Sequence, residues 1–299
     1  MSDMLSINPH EIVTRDLHQF IVGIVAPRPI AWVSTISPEG QVNLAPFSFF
    51  NAFSSNPPIV VFSANRTVED NKTKDTLHNI QATKECVIHS VPHHLVRQMA
   101  LTSIHYPSEV NEFEKAGLTA IPSDIVRPPR ILESPTHMEC KVYDIITLGS
   151  SGGAGHLILC EVVKLHIDKQ VIDEHNRIDP EKLDLMGRMG RSYYARAAKG
   201  AIETIVQTIR PMGIGFDGLP SSILHSQVLT GNDIGYIAGH ITELPAQDAV
   251  AAVKTSDPRI AQILSKNNAV EALHYYAKEL LSVDDVPKAI NVLMIADAL

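Results

Sequence analysis

The chain has only three cysteines, Cys86, Cys140 and Cys160. They lie in strand-like apolar runs with none of the short spacings that build a metal site. An odd number with no disulfide pattern suits a reducing compartment and buried thiols. Basic residues are also in short supply: 25 Lys and Arg against 33 Asp and Glu leave a net charge of −8. That sign excludes general nucleic-acid binding, which needs a basic footprint to displace counterions. Any phosphate held here is therefore held locally, by a few donors. No apolar run approaches the roughly 20 residues that span a bilayer. The first ten residues lack the basic-then-apolar layout of a signal peptide. A cytoplasmic protein is the expectation, in which the sequons at Asn65 and Asn71 carry no meaning.

Hydrophobic residues make up 44% of the chain, enough for a substantial core, and 299 residues accommodate one large unit or two smaller ones. The first two-thirds read as β-rich. Phe20 to Ala26 is a short apolar run ending at Pro27. Residues 30–37 and 42–47 flank the turn signal Ser-Pro-Glu-Gly and predict a hairpin. Residues 59–63 form a continuous apolar run, as in a strand covered on both faces. Further strands are predicted at 85–91, 137–148 and 156–168, the last two joined by Gly-Ser-Ser-Gly-Gly-Ala-Gly. Helices are predicted at 73–83, capped by Asn71 or Thr73, and at 95–101 and 109–116. Beyond residue 181 the character turns helical, with predicted helices at 193–209, 246–253, 258–265, 269–281 and 286–298. Many strands followed by helices alone predict an all-β barrel with a helical C-terminal region, not the alternation of a parallel α/β sheet. The boundary falls near residue 200. It has no flexible linker, which predicts that the helical part packs on the barrel or on a second subunit.

Chemistry concentrates between residues 27 and 83. Pro46 cannot donate to a ladder, so pairing must loosen there or lie at an edge. Phe47, Ser48, Phe49, Phe50, Asn51 and Ser54 then mix aromatics with small polar residues. Such a segment suits the flat face of a heteroaromatic ring, and equally a core strand with incidental serines. The helix predicted at 73–83 presents free backbone N–H groups, the Lys74 cation and the Thr76 hydroxyl, a natural phosphate site. Asp75 favours the helix dipole there but repels an anion unless turned outward. A plain surface helix with an ordinary cap is the competing account.

These segments, Pro-Arg-Pro-Ile-Ala-Trp-Val-Ser at 27–34, Asn-Leu-Ala-Pro-Phe-Ser-Phe-Phe-Asn at 43–51 and Lys-Asp-Thr-Leu-His-Asn at 74–79, resemble those of flavin reductase-like flavoproteins, which include the flavoredoxins. The likeness continues through 111–119, 133–140 and 187–194 and covers roughly residues 10 to 200. It implies an FMN-binding split β-barrel with inserted helices, assembled as a homodimer, with the all-helical region 201–299 as an addition. It also implies that Ala45, Pro46, Phe47, Ser48, Phe49 and Asn51 lie against the flavin, with Arg28, Ser34 and Asn43 on the strands beside it. Lys74 and Thr76 would hold the phosphate, with Asp75 in the same turn. The activity implied is hydride transfer from NADH or NADPH to bound FMN and on to an acceptor. Within the same fold, an electron-transfer flavoprotein with no nicotinamide site, or a dimeric scaffold without catalysis, remains open.

Other signals are weaker. Gly213 to Gly218 spells a dinucleotide fingerprint but follows no strand, so a helix-terminating turn is the better reading. His89, His93 and His94 lack companion ligands for a metal. Ser34 and Ser48 sit in no nucleophile elbow. His105 and Tyr106 are possible proton donors that the sequence places near nothing.

Overall fold

The computed structural model describes residues 4–205 and 211–299. It divides into two compact units, Met1–Glu203 and Thr204–Leu299.

The first unit begins with helix α1 (Thr14–Ile24), followed by strands β1 (Ala31–Ile36), β2 (Val42–Phe47), β3 (Phe50–Ser55) and β4 (Pro58–Ser63). Next come helix α2 (Asp75–Thr83), strand β5 (Glu85–His89) and helices α3 (Val96–Leu101) and α4 (Glu112–Ala116). The short strands β6 (Ala120–Ile121) and β7 (Arg130–Ile131) pair with each other. The long strands β8 (Thr136–Thr147) and β9 (His156–Ile167), helix α5 (Pro180–Leu183) and the ribbon β10 (Leu185–Arg188) with β11 (Tyr194–Ala197) complete the unit.

Seven strands form one sheet in the order β2-β1-β5-β8-β9-β4-β3. Its two terminal strands are consecutive in sequence and joined by Ser48 and Phe49 alone. Six inter-strand steps of about 4.8 Å would hold the edges of a flat sheet roughly 29 Å apart. Three peptide units reach at most about 11 Å. The sheet must therefore curl until β2 and β3 meet, yet no ladder joins them. A barrel closed by covalent connection and open along one seam is the result. Pro46 pairs opposite Trp32 on β2, one of the two edge strands, where its missing N–H leaves no buried vacancy in the ladder.

Alternation along β1 sends Ala31 and Val33 into the barrel, with Phe47, Phe62, Ile88, Ile158 and all three cysteine thiols. Trp32 turns the other way and packs with Leu44, Leu95, Met99 and Phe113 beneath α3 and α4. Each such large apolar side chain contributes about 1.5–3 kcal/mol by burial. The β1–β2 turn is the expected one: Ser37 N–H donates to the Gln41 carbonyl at 2.8 Å, and Gly40 takes φ +94°. Strand β4 is buried along its apolar run, as a strand covered on both faces should be.

Two expectations are corrected in this unit. The apolar run at 20–26, read within the β-rich part, is the end of helix α1 and the residues that leave it. The helix predicted from Tyr193 is, at Tyr194–Ala197, strand β11, while residues 206–210 of that prediction lie outside the described residues. Helix propensity is a weak prior. Here ladder bonds to β10 and the ion pair from Arg196 Nε to Asp184 Oδ1 (2.6 Å) override it.

Among its described residues the second unit contains helices and no strand. They are α6 (Ser221–Leu224), α7 (Gly231–His240), α8 (Gln247–Ser256), α9 (Pro258–Leu264), α10 (Ala269–Leu281) and α11 (Val286–Asp297). Leu273, Tyr276, Ala277, Leu280 and Leu281 form one apolar face on α10 and join Ile237, Ile260, Val292 and Leu293 in a separate core. Helix α7, with glycines at 231, 235 and 239, escaped the sequence reading. Its signal was the capping box Thr230–Asp233, in which the Asp233 N–H donates to Thr230 Oγ1 at 3.2 Å and the Thr230 N–H to Asp233 Oδ2 at 2.7 Å. Residues 213–215 are irregular, with Gly215 at φ +75°, and lead into a short 3-10 segment at Phe216–Gly218; among the described residues no βαβ unit surrounds them. No helix among the described residues is long and apolar enough to cross a membrane.

Candidate functional site

Helix α2 begins unusually. Its N-cap position is Lys74, in extended conformation, and no side chain caps the first turn. The residues expected to do so are engaged elsewhere. Asn71 Oδ1 accepts from Arg66 Nε at 2.6 Å, and Thr73 Oγ1 bonds with His78 Nε2 at 2.6 Å. Leu77 N–H turns back to the Lys74 carbonyl at 2.9 Å, which leaves the Asp75 and Thr76 N–H groups at the helix start without a side-chain acceptor. Free N–H groups and the helix dipole together favour negative charge at such an end.

Buried polar bonds fix α2 against the barrel. Asn43 on β2 donates through Nδ2 to Thr76 Oγ1 at 2.9 Å and to Thr35 Oγ1 at 3.2 Å, while Asn79 Nδ2 reaches the same Thr35 oxygen at 3.1 Å. Thr76 is 1% exposed. Because its oxygen accepts from Asn43, its own proton is left for another acceptor.

A cleft of about 510 Å³ opens at this helix end, within the size range of small-molecule sites. Ala45, Pro46 and Phe47 of β2 form one wall; Lys74, Asp75 and Thr76 form the floor, with Asn43 beneath. The loop after α3 supplies the opposite wall, including His105 and Tyr106. That loop is tethered through Thr102, whose Oγ1 accepts from Trp32 Nε1 at 2.9 Å. His105 Nε2 is hydrogen-bonded to Lys74 Nζ. Burial pushes the Lys74 ammonium below its usual range, while the Asp70 and Asp75 carboxylates oppose that shift. Asp75 Oδ1 lies 3.9 Å from His78 Nδ1 on the next helical turn. Glu112 also lines the cleft; burial raises its carboxyl, partly offset by the Leu44 N–H that donates to Oε2 at 3.0 Å.

Seven residues singled out from the sequence thus come together here: Asn43, Ala45, Pro46, Phe47, Lys74, Asp75 and Thr76. Arg28, Ser48 and Phe49 instead line a second cleft, of about 340 Å³. Ser34 lines neither; it is buried and donates to the Pro129 carbonyl at 2.6 Å. Asn51 lines neither as well, lying exposed on β3 with its Oδ1 accepting from the Ala52 N–H at 2.8 Å. The 102–108 wall was not foreseen, because nothing local in its sequence marks contact with residue 74. Of the histidine cluster, His89 is fully buried, donating from Nδ1 to the Trp32 carbonyl and accepting at Nε2 from the Ile131 N–H. Burial, with His137 and Arg130 nearby, lowers its pKa to about 3, so it is a neutral structural residue.

The barrel left open along one seam, with its inserted helices, is the split-barrel fold of flavin reductase-like proteins. The family model described as "Flavin reductase like domain" matches residues 25–186, and the chain belongs to that family. An uncharacterized protein from Aquifex aeolicus is 40% identical over 181 residues, covering 60% of this chain and 90% of the relative. Nitrilotriacetate monooxygenase component B from Bacillus cereus is 32% identical with a TM-score of 0.63, covering 68% of this chain and 100% of that one. Pseudomonas fluorescens 2-nitrobenzoate 2-nitroreductase is 29% identical with a TM-score of 0.61, covering 69% and 98%. The flavoredoxin of Desulfovibrio vulgaris, at 20% identity and a TM-score of 0.53 over 62% of this chain and 93% of that one, shares the fold.

Proposed function

We propose that this chain is an NAD(P)H-dependent flavin oxidoreductase that holds FMN in the α2 cleft and works as a homodimer. The observation that carries the reading is the uncapped start of α2, where free N–H groups, Lys74 and the unspent Thr76 proton meet the Ala45–Phe47 wall. FMN, when bound, supplies the hydride-accepting and electron-delivering chemistry.

The protein's share is binding and placement. Lys74 and the free N–H groups at the start of α2 would hold the phosphate, and the Thr76 hydroxyl would donate to it. Asn43 sets the direction of that hydroxyl by occupying its acceptor side. His105, hydrogen-bonded through Nε2 to Lys74 Nζ, keeps that group at the cleft. Pro46 and Phe47 line the cleft with apolar surface that would keep water from the ring.

The test is a visible spectrum of the purified protein with the released cofactor identified by mass, then rapid-mixing reduction by NADH and by NADPH. A flavin spectrum that bleaches with either nucleotide is the expected result. A protein that carries no flavin and takes up none would sink the proposal. Bound FMN that neither nucleotide reduces would replace it with an electron-transfer flavoprotein. Sedimentation at equilibrium tests the homodimer.

A further inference from the structure

The second cleft concentrates positive charge with no carboxylate among its lining residues, although Arg188 donates to the Tyr193 carbonyl at 3.3 Å and stacks on the Tyr194 ring. Arg28, Arg188 and Arg191 all line it, with His18, Ser48 and Phe49. The ion-paired arginines of the described residues are others: Arg127, Arg130, Arg177, Arg196 and Arg259. Arg28 and Arg188 face each other across a backbone bridge, with Arg28 N–H to the Arg188 carbonyl at 2.9 Å and the reverse bond at 2.8 Å. Like charges directly opposite on paired backbones are destabilising. Arg28 is 6% exposed; its Nη1 donates to the carbonyls of Val22 and Val25 and its Nη2 to that of Met189 at 3.3 Å, while its buried Nε has no hydrogen-bond partner. Burial and the Arg188 charge both depress its pKa, yet a guanidinium stays ionised. Arg191 adds a third cation from a backbone held at φ +53°, in the left-handed region that a side chain rarely occupies. In a chain of net charge −8, three arginines are thus gathered around one small cleft at a cost in repulsion, desolvation and backbone strain.

We infer that this cleft is an oxyanion subsite, built to take the carboxylate or phosphate group of the reactant that meets the flavin. The anion-binding part stands on the arginines alone; the identification of the ligand as a partner of the flavin rests on the function proposed above. The connection is local. Pro46 and Phe47 line the α2 cleft and the next two residues, Ser48 and Phe49, line this one. The two clefts are thus neighbours along the chain, on the two-residue connection that joins β2 to β3. Planar guanidinium groups match carboxylate and phosphate oxygens bidentately, which selects these anions over halide-like point charges.

Calorimetric titration of the full-length protein tests this with three probes: benzoate, ADP-ribose and the uncharged isostere benzamide. Binding of benzoate or ADP-ribose, with no binding of benzamide, is expected. Benzoate alone identifies an organic carboxylate as the ligand class; ADP-ribose alone identifies the phosphates of a dinucleotide. The double variant Arg188→Gln/Arg191→Gln should weaken the charged probe by about tenfold or more, equivalent to loss of one charged contact. Arg191→Gln alone, on an exposed side chain whose loss leaves the core untouched, should weaken it severalfold and guards against misfolding of the double variant. Failure of both charged probes to bind the wild type, binding of benzamide as tight as benzoate, or unchanged affinity in Arg191→Gln and the double variant would overturn the subsite. The flavin content of the same samples is read separately, so loss of the FMN reading and loss of the anion subsite give different results.

Discussion

Replacing Lys74 by alanine gives the sharpest test of the cofactor site. Lys74 is half-buried at the N-cap of α2, beside uncapped N–H groups and the Asp70 and Asp75 carboxylates. A hydrogen bond to a charged partner contributes about 1–3 kcal/mol. Deleting the ammonium also removes a cation beside the Asp75 carboxylate, which moves the loss toward the upper end, whereas Asp70 keeps its 2.8 Å ion pair with Lys72. FMN affinity should therefore fall by about 5- to 150-fold, with the larger figure favoured. Fluorescence titration of flavin-free protein with FMN and, in parallel, with riboflavin reads the effect. Riboflavin has the ring and ribityl chain but no phosphate, so its affinity should stay within about twofold of wild type. Equal weakening of both flavins would show that Lys74 supports the fold and not the phosphate. Unchanged FMN affinity would remove Lys74 from the site and with it the argument from the helix end.

Thr76→Val deletes a buried hydroxyl and leaves the Asn43 amide without its 2.9 Å acceptor. It should destabilise the barrel by about 1–3 kcal/mol in urea titration and lower FMN affinity, whereas Thr76→Ser should restore both. Burial alone would raise the Glu139 carboxyl, but the N–H groups of Asp124, Ile125 and Val126, with His166, pull it down to about 2. A folded pKa below the unfolded value stabilises above the unfolded pKa and loses that contribution as pH falls. Melting temperature should accordingly drop as pH falls from about 4.5 to about 2, and Glu139→Gln should flatten that limb while lowering stability at neutral pH. The hydrophobic clusters of the two units share no residue. A chain ending at residue 203 should therefore unfold cooperatively in calorimetry and retain FMN; an aggregated or molten product would show that the barrel depends on the helical unit.

Local chemistry in the sequence determined much of this protein. The Ser-Pro-Glu-Gly turn, the both-faces-buried run at 59–63, the edge placement of Pro46 and the amphipathic faces of α10 and α11 each follow from a short stretch whose side chains admit few alternatives. Helix α2 was legible as 73–83 for the same reason, with Lys74 and Thr76 in its first turn, but its start at Asp75 and its Lys74 N-cap were decided by the fold, which engages Asn71 and Thr73 elsewhere. Closure of the sheet was decided elsewhere. Strands distant in sequence pair in the order β2-β1-β5-β8-β9-β4-β3, and only that order forces β2 and β3 together across a two-residue connection. Tertiary contact likewise overruled local preference at Tyr194–Ala197, where ladder bonds and the Arg196–Asp184 pair outweigh helix propensity. It also divided one continuous motif between two clefts, with Ala45–Phe47 beside α2 and Ser48–Phe49 beside three arginines drawn from positions 28, 188 and 191. Charges 160 residues apart leave no mark on one another in sequence. Their meeting, like that of Lys74 with His105, is a product of the folded backbone alone.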